Sequence, residues 1–336
     1  MKIKHYFYNT LILAVLFSSC EKYIKFSGDE TGTKLVLNGL LSSDSIIKIK
    51  LTESKFFLKE GHFNTINNAT VELWKDGNKI ENLLNKGKGY YTGNYIPKTG
   101  DNIRVTAFCE GFDRVDCSTE IISPTPVNSA DSMNYNEEKI YSRYIYSEKD
   151  GTSHIDSSAY NLSINFDLNI TFKDPKDIPN YYTIKVFIKY YFPKGNSAFV
   201  PLFYTSDDIV FKTGKEMGFL DDKNKMKTIV FNDDLFDGKQ YNIKIKAYNY
   251  DDNYFSNYTF DTPFKIYPEP VDRDIYVELQ SLSYDYYMYL KTIEANSNLS
   301  KLLESLSEPI QIYTNVKGGI GILGSFASSI FIISLK

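Results

Sequence analysis

The chain has 336 residues, enough for two domains of ordinary size, and its 42% hydrophobic and 24% charged content is that of a folded globular protein. The formal net charge is −4 and no basic patch stands out, which argues against nucleic acid as a partner. Tyrosine (28) and phenylalanine (23) are abundant beside a single tryptophan, Trp74; aromatics suit pleated, half-buried surfaces, so the composition points to sheet packing ahead of a ligand-stacking surface.

Residues 1–19 have the layout of a secretory leader. Lys2 and Lys4 supply positive charge, Leu11 to Phe17 form an apolar run, and Ser18 and Ser19 precede Cys20. A cysteine at that point reads as a bacterial lipobox, with Phe17 where leucine is usual and Leu16 one place earlier. Cys20 is the residue expected to carry lipid, as the N-terminus of the mature chain bearing three acyl chains. Each buried CH2 contributes about 0.8 kcal/mol and one chain binds only marginally, so three give a stable membrane tether. The apolar run is shorter than the roughly 20 residues of a membrane span. Glu21, in place of aspartate, favours the outer membrane over the inner. The mixed charge of Glu21-Lys-Tyr-Ile-Lys25 leaves the periplasmic and cell-surface faces both open. Residues 20–33 read as a flexible tether.

A first β-domain is expected over 34–126. Strand-like runs occupy Lys34 to Gly39, Ile46 to Leu51, Ala69 to Trp74, Gly89 to Tyr91 and Asn102 to Phe108. In the second of these, Ile47, Ile49 and Leu51 alternate with Lys48 and Lys50. Asp76-Gly-Asn78 and Glu110-Gly-Phe-Asp113 are turns, and the spacing is that of a β-sandwich. A regular hairpin about the second turn sets Cys109 opposite Arg114 and Cys117 opposite Thr106. That separation argues against a disulfide, although an exported even pair favours one. Ser123-Pro-Thr-Pro126 reads as a linker.

The remainder, 127–336, is expected to form a second β-rich domain with late helix. The polar stretch Asn134 to Ser158 reads as a long exposed loop. Leu162, Ile164, Phe166, Leu168 and Ile170 then alternate, followed by strands over Tyr181 to Tyr191, Thr228 to Phe231 and Gln240 to Tyr248. Ser283 is positioned to cap a helix over Tyr284 to Ala295, and Asn298 a further helical segment ending before Pro309. Ile310 to Thr314 and Ser328 to Leu335 read as closing strands. The fold class is therefore mainly β: two β-sandwich-like domains with a short helical segment around 284–306.

An ordered series of short motifs runs through nearly the whole mature chain. These are Leu35-Val-Leu-Asn-Gly-Leu-Leu41, Asn68-Ala-Thr-Val-Glu-Leu73, Gly89-Tyr-Tyr91, Phe172-Lys-Asp-Pro175 with Asn180-Tyr-Tyr182, and Phe231 to Gln240. Val277 to Leu290 and Tyr313 to Gly324 complete it. With the lipobox, this order resembles the bacterial lipoprotein family called domain of unknown function 4249, found in Bacteroidota. The first domain also looks like the Ig-like or carboxypeptidase-regulatory sandwiches that often precede outer-membrane machinery. The resemblance implies an accessory part beside a TonB-dependent outer-membrane receptor, binding the receptor or its cargo, with no established reaction.

Other constellations carry little. Gly319-Ile-Gly-Ile-Leu-Gly324 spells a dinucleotide fingerprint, but strand-like residues follow and no helix remains to hold a pyrophosphate; a glycine-rich turn re-entering a sheet is expected instead. His62 and His154 stand far apart in polar surroundings. Asp207-Asp208, Asp221-Asp222, Asp233-Asp234 and Asp251-Asp252 read as solvated turns without the ligand spacing of a calcium loop. Asp44-Ser-Ile46 and Asp131-Ser-Met133 resemble the O-glycosylation acceptors of Bacteroidota. No catalytic, cofactor or metal residues are assigned. The expectation is a non-catalytic, lipid-anchored binding protein; a structural adhesin or surface-fibre subunit is the alternative.

Overall fold

In the computed structural model, residues 32–55, 62–141, 144–147, 152–155, 160–211, 229–249, 254–255, 266–302 and 311–335 are described. The leader, Cys20 and the tether up to residue 31 lie outside them.

Period-2 alternation forms the first half. β1 (Leu35–Leu41) buries Leu35, Leu37 and Leu41, and β2 (Lys48–Glu53) buries Ile49 and Leu51. β3 (Thr70–Lys75) and β4 (Asn78–Asn82) make a hairpin whose turn holds Asp76 and Gly77 at positive φ. β5 (Leu84–Asn85), β6 (Tyr90–Thr92), β7 (Asn102–Phe108) and β8 (Val115–Glu120) follow. One layer is a four-stranded sheet in the order β4-β3-β7-β8, and the other runs β5-β6-β2-β1. Leu37, Ile49 and Leu51 meet Leu73, Val105 and Val115 in a shared core. This is the sandwich predicted from the alternation.

The second half begins with β9 (Val127–Ile140), and β10 (Tyr144–Ser147) and β11 (Thr152–Ile155) form a separate hairpin. β12 (Asn161–Lys173), β13 (Tyr181–Tyr191), β14 (Ser197–Thr205), β15 (Val230–Asn232) and β16 (Gln240–Tyr248) come next. β17 (Tyr254–Phe255) and β18 (Ile266–Tyr267) pair in parallel with each other. β19 (Asp272–Leu282), helix α1 (Tyr284–Leu302) and β20 (Ile320–Leu335) close the chain.

The strand order β9-β12-β16-β14-β13-β19-β20 curls about a core that includes Phe166, Leu168, Ile170, Val186, Ile188, Ile245 and Val277. The curl brings its two ends together. Val127 N–H donates to Ser329 Oγ at 2.9 Å, and Arg273 on β19 pairs with Glu137 on β9. Here the aromatic excess is consumed as packing. Phe236 meets Phe172 edge-on at 5.6 Å and stacks on Tyr241 at 4.5 Å, and Phe231 lies 5.5 Å from Tyr182.

β20 belongs to both halves. Residues 320–325 pair in parallel with β1, and residues 326–335 pair antiparallel with β19. Of the glycines of the fingerprint-like motif, Gly319 lies in the turn that leads into the sheet, as expected, and Gly321 and Gly324 lie on the strand itself. Gly321 has φ +118°, and a Cβ there would sit 2.0 Å from the Leu37 carbonyl oxygen, so close pairing with β1 requires glycine.

Four expectations are corrected. Residues 134–140 are the outer half of β9, and 144–147 pair with 152–155, so the described part of the polar stretch is strand, the rest lying outside the described residues; the β9 part is polar because it is an edge strand with mostly solvent-facing positions. Val105 pairs with Cys117 and Thr106 with Asp116, one residue from the predicted register, because Cys109 leaves the ladder to receive the Phe112 N–H and close the turn. α1 runs unbroken from Tyr284 to Leu302, so no new helix begins at Asn298. Residues 311–314 form no strand, for there the chain is held by side-chain bonds such as Tyr313 N–H to Thr292 Oγ1. The Ser283 cap is present, with its Oγ accepting the Tyr286 N–H at 3.4 Å. Thr125, in the predicted linker, is buried and donates its N–H to Ser281 Oγ at 3.0 Å.

Candidate functional site

Two loops meet where β12 turns into β13 and where β15 leads to β16. The first is Asp174 to Asn180 and the second Asp233 to Lys239. Pro175 and Pro179 preclude a regular strand in the first, and the second turns through Gly238 at φ +68° before Lys239. Carboxylates clamp the loops together. Asp174 Oδ1 accepts the Tyr182 hydroxyl at 2.5 Å and its Oδ2 accepts the Gly238 N–H at 3.0 Å. Asp233 Oδ2 accepts the Asn180 N–H at 2.9 Å, and Asp237 Oδ1 accepts the Asp177 N–H at 2.9 Å.

The ligand oxygens of Asp174, Asp233 and Asp237 lie within 4.8 Å of one another. Asp174 and Asp233 are buried and Asp237 is exposed. Burial pushes the Asp174 carboxyl above its ordinary range; the bonds from Tyr182 and Gly238 oppose this, while the neighbouring Asp233 and Asp237 reinforce it. Burial, then the Asp174 carboxylate, push the Tyr182 phenol far up. Three carboxylates of this kind are hard oxygen donors. Both oxygens of Asp174 already accept bonds from the protein, however, which suits a loop clamp better than proton transfer to a substrate.

Beside the clamp, Tyr181 stacks on Tyr287 of α1 at 4.6 Å and lies 5.5 Å from Tyr284. Beyond it, Ile178 (60% exposed) and Leu235 (44% exposed) stand out from the two loops. Phe172-Lys-Asp-Pro175, Asn180-Tyr-Tyr182, Phe231 to Gln240 and the tyrosines of α1, read as separate motifs in the sequence, thus converge on one place.

The remaining sequence candidates disperse. Asp233 is buried in the clamp and is no solvated turn; the reason is the backbone N–H of Asn180, which needs an acceptor. Asp208 accepts the Tyr241 hydroxyl at 2.8 Å. Asp221-Asp222 and Asp251-Asp252 fall outside the described residues. His62 is exposed, and His154 lies on β11. Ser45, of the first acceptor-like triplet, is exposed, and Ser132, of the second, is half-buried on β9. Cys109 and Cys117 are both buried free thiols. Among the described residues, no helix is long and apolar enough to cross a membrane.

Comparison with curated proteins gives no match. A family model described as Domain of unknown function (DUF4249) matches residues 21–330. With almost all of the chain after Cys20 covered, the protein belongs to that family.

Proposed function

We propose that the protein is a lipid-anchored, non-catalytic component of the bacterial outer membrane that binds a partner, serving beside a TonB-dependent uptake receptor. The anchor is Cys20, and the basic head, apolar run and paired serines before it support that role. The family match begins at residue 21, directly after this cysteine, in keeping with a separate leader.

The binding surface is formed by the two clamped loops. The observation that carries this reading is the pairing of rigid backbones with exposed apolar tips. Asp174 and Asp233 fix the loops from below, while Ile178 and Leu235 project from them. Loops held by a stiff scaffold are the usual carriers of recognition. The occupant is the receptor or its cargo.

The test is affinity isolation of the acylated chain from solubilised membranes. A transporter-type receptor should accompany the native chain and be lost with the Ile178→Asp/Leu235→Asp variant. Recovery of the native chain free of any transport protein overturns the proposal.

A further inference from the structure

The outer face of the curled sheet carries a pattern of its own. α1 covers one end of that face, where Tyr286 packs on Gly324 and Tyr287 on Tyr181. Past the helix the face is open, and the ladder registers place its residues in rows. Pro201, Phe187, Tyr276 and Ile332 form one row across β14, β13, β19 and β20. Phe199, Lys189, Asp274 and Ser334 form the next, and Lys185, Glu278 and Ile330 lie on the other side. Phe199 (53%), Ile330 (58%) and Ile332 (49%) are exposed.

Read by strand, the outer columns are mostly apolar, with Ser334 the polar member on β20, and the inner two are charged with opposite sign. β13 presents Lys185, Phe187 and Lys189; β19 presents Glu278, Tyr276 and Asp274. No ion pair joins Lys185 to Glu278 or Lys189 to Asp274 among the described residues, although each pair is directly cross-strand. Lys189 Nζ instead hovers 4.8 Å from the Tyr191 ring centre and 5.3 Å from that of Phe199.

We propose that this face docks against the same face of a second copy of the chain. A twofold axis parallel to the strands, midway between β13 and β19, turns β13 of one copy over β19 of the other and β14 over β20. Each row then meets itself reversed. Lys185 and Lys189 face Glu278 and Asp274 of the other copy, Phe187 faces Tyr276, and Pro201 faces Ile332. Every lysine meets a carboxylate and every apolar residue in the central row meets another, the self-complementarity an isologous interface needs. Aligned face-to-face packing of two sheets is an ordinary arrangement. Strand spacing of about 4.8 Å and outward residues about 6.6 Å apart make the patch about 20 Å on a side. That is the low end of a specific interface, so dissociation in the micromolar range is expected.

The proposal is independent of the receptor reading and is tested by solution mass. The full-length chain, purified in detergent, is followed by sedimentation or light scattering from about 1 to about 200 µM, a range that brackets micromolar dissociation. The native chain should pass from monomer to dimer. The Lys185→Glu/Lys189→Glu variant places acid over acid, and the Asp274→Lys/Glu278→Lys variant base over base, so each should self-associate at least about tenfold more weakly. Mixing the two variants should restore a dimer containing one of each. Native circular dichroism of each variant confirms folding, and either alone suffices if the other fails to fold. A native chain that stays monomeric throughout, or a dimer indifferent to both reversals, overturns the proposal.

Discussion

Asn315 and Leu323 exchange two hydrogen bonds. Asn315 Nδ2 donates to the Leu323 carbonyl at 2.8 Å, and the Leu323 N–H donates to Asn315 Oδ1 at 3.0 Å. One side-chain amide thus stands in for a neighbouring strand on an edge of β20, opposite the edge that β1 occupies. The same Nδ2 reaches the Ser118 carbonyl on β8 at 3.2 Å, tying the four-stranded sheet to the long strand.

Leu323 is fully buried, so its peptide groups have no water to turn to if Asn315 is lost. Asn315→Ala should therefore cost about 2 to 3 kcal/mol. Asn315→Asp keeps the acceptor but points a carboxylate at two carbonyl oxygens, and should cost at least as much. Urea unfolding provides the measurement: a lower midpoint with an unchanged slope is expected, and an unshifted midpoint for Asn315→Ala refutes the role.

Glycine matters at β20 for a reason unlike that at an ordinary turn. Gly321→Ala introduces a Cβ 2.0 Å from the Leu37 carbonyl oxygen at φ +118°, where neither backbone can yield without breaking the β1–β20 ladder. The expected loss is about 3 kcal/mol or more. Gly77→Ala also meets a positive φ, +81°, but with open space around it, so only about 1 kcal/mol is at stake. The two variants compared by thermal unfolding separate close approach from mere turn geometry; equal losses would contradict the assignment.

These two cases also show what could be read from the chain. β12 and β13 were legible because one face is buried and most of the other is not, so Leu162 to Ile170 alternate cleanly and Ile184 to Tyr190 do likewise, with Thr183 buried out of step. β9 was not, since most of its positions face water and Asn134 breaks its ladder at φ +53°. The span of β20 across both halves was hidden because pairing partners cannot be deduced from period alone. The clamp was hidden too: Asp233 and Asn180 are 53 residues apart, and a buried carboxylate in Asp-Asp looks like a solvated one. The available signals were Asp174-Pro175 and Asp237-Gly238, two turns whose acids needed backbone partners.

The first half carries a part-buried ion pair, its carboxylate buried and its ammonium partly exposed, with a clear pH signature. Lys75 Nζ lies 2.7 Å from Asp101 Oδ1, and Asp101 Oδ2 accepts the Tyr95 hydroxyl at 2.6 Å and the Lys98 N–H at 2.8 Å. Burial opposes the charge, but these partners outweigh it and hold the Asp101 carboxyl at about 2, below its ordinary 3.8. A carboxyl depressed on folding contributes stability above its unfolded pKa and loses it as the pH falls towards the folded one. That contribution, about 2 kcal/mol, should vanish between about pH 4 and pH 2. Asp101→Asn should lower stability at neutral pH and flatten this limb; an unchanged slope from pH 4 to pH 2 rejects the pair as its source.

Asp174 runs the other way. Its carboxyl is raised by burial, so the folded state holds the proton to a higher pH than the unfolded chain. The stability it contributes is complete below the unfolded pKa and falls as pH rises through the folded pKa. Asp174→Asn removes this decline and retains an oxygen to accept the Tyr182 hydroxyl, but one of its two acceptor sites is lost to an amide. The variant should thus be less sensitive to pH in the weakly acidic range than the native chain. A stability profile parallel to the native one there excludes the assignment.

Thiol counting tests the anchor and the cysteine pair together. The chain has three cysteines. Cys109 and Cys117 are buried and free, and burial pushes both thiols up, Cys117 strongly, so neither offers much thiolate to a reagent in the folded protein. Maleimide should leave the native chain nearly untouched. After unfolding without reductant, an acylated chain should take up two equivalents, because the Cys20 sulfur is already a thioether, whereas unprocessed precursor should take up three. A disulfide between Cys109 and Cys117 would leave none in the acylated chain. Fatty-acid labelling supplies the independent reading: Cys20→Ala should abolish it, and persistent label on that variant would remove the lipid anchor from the account.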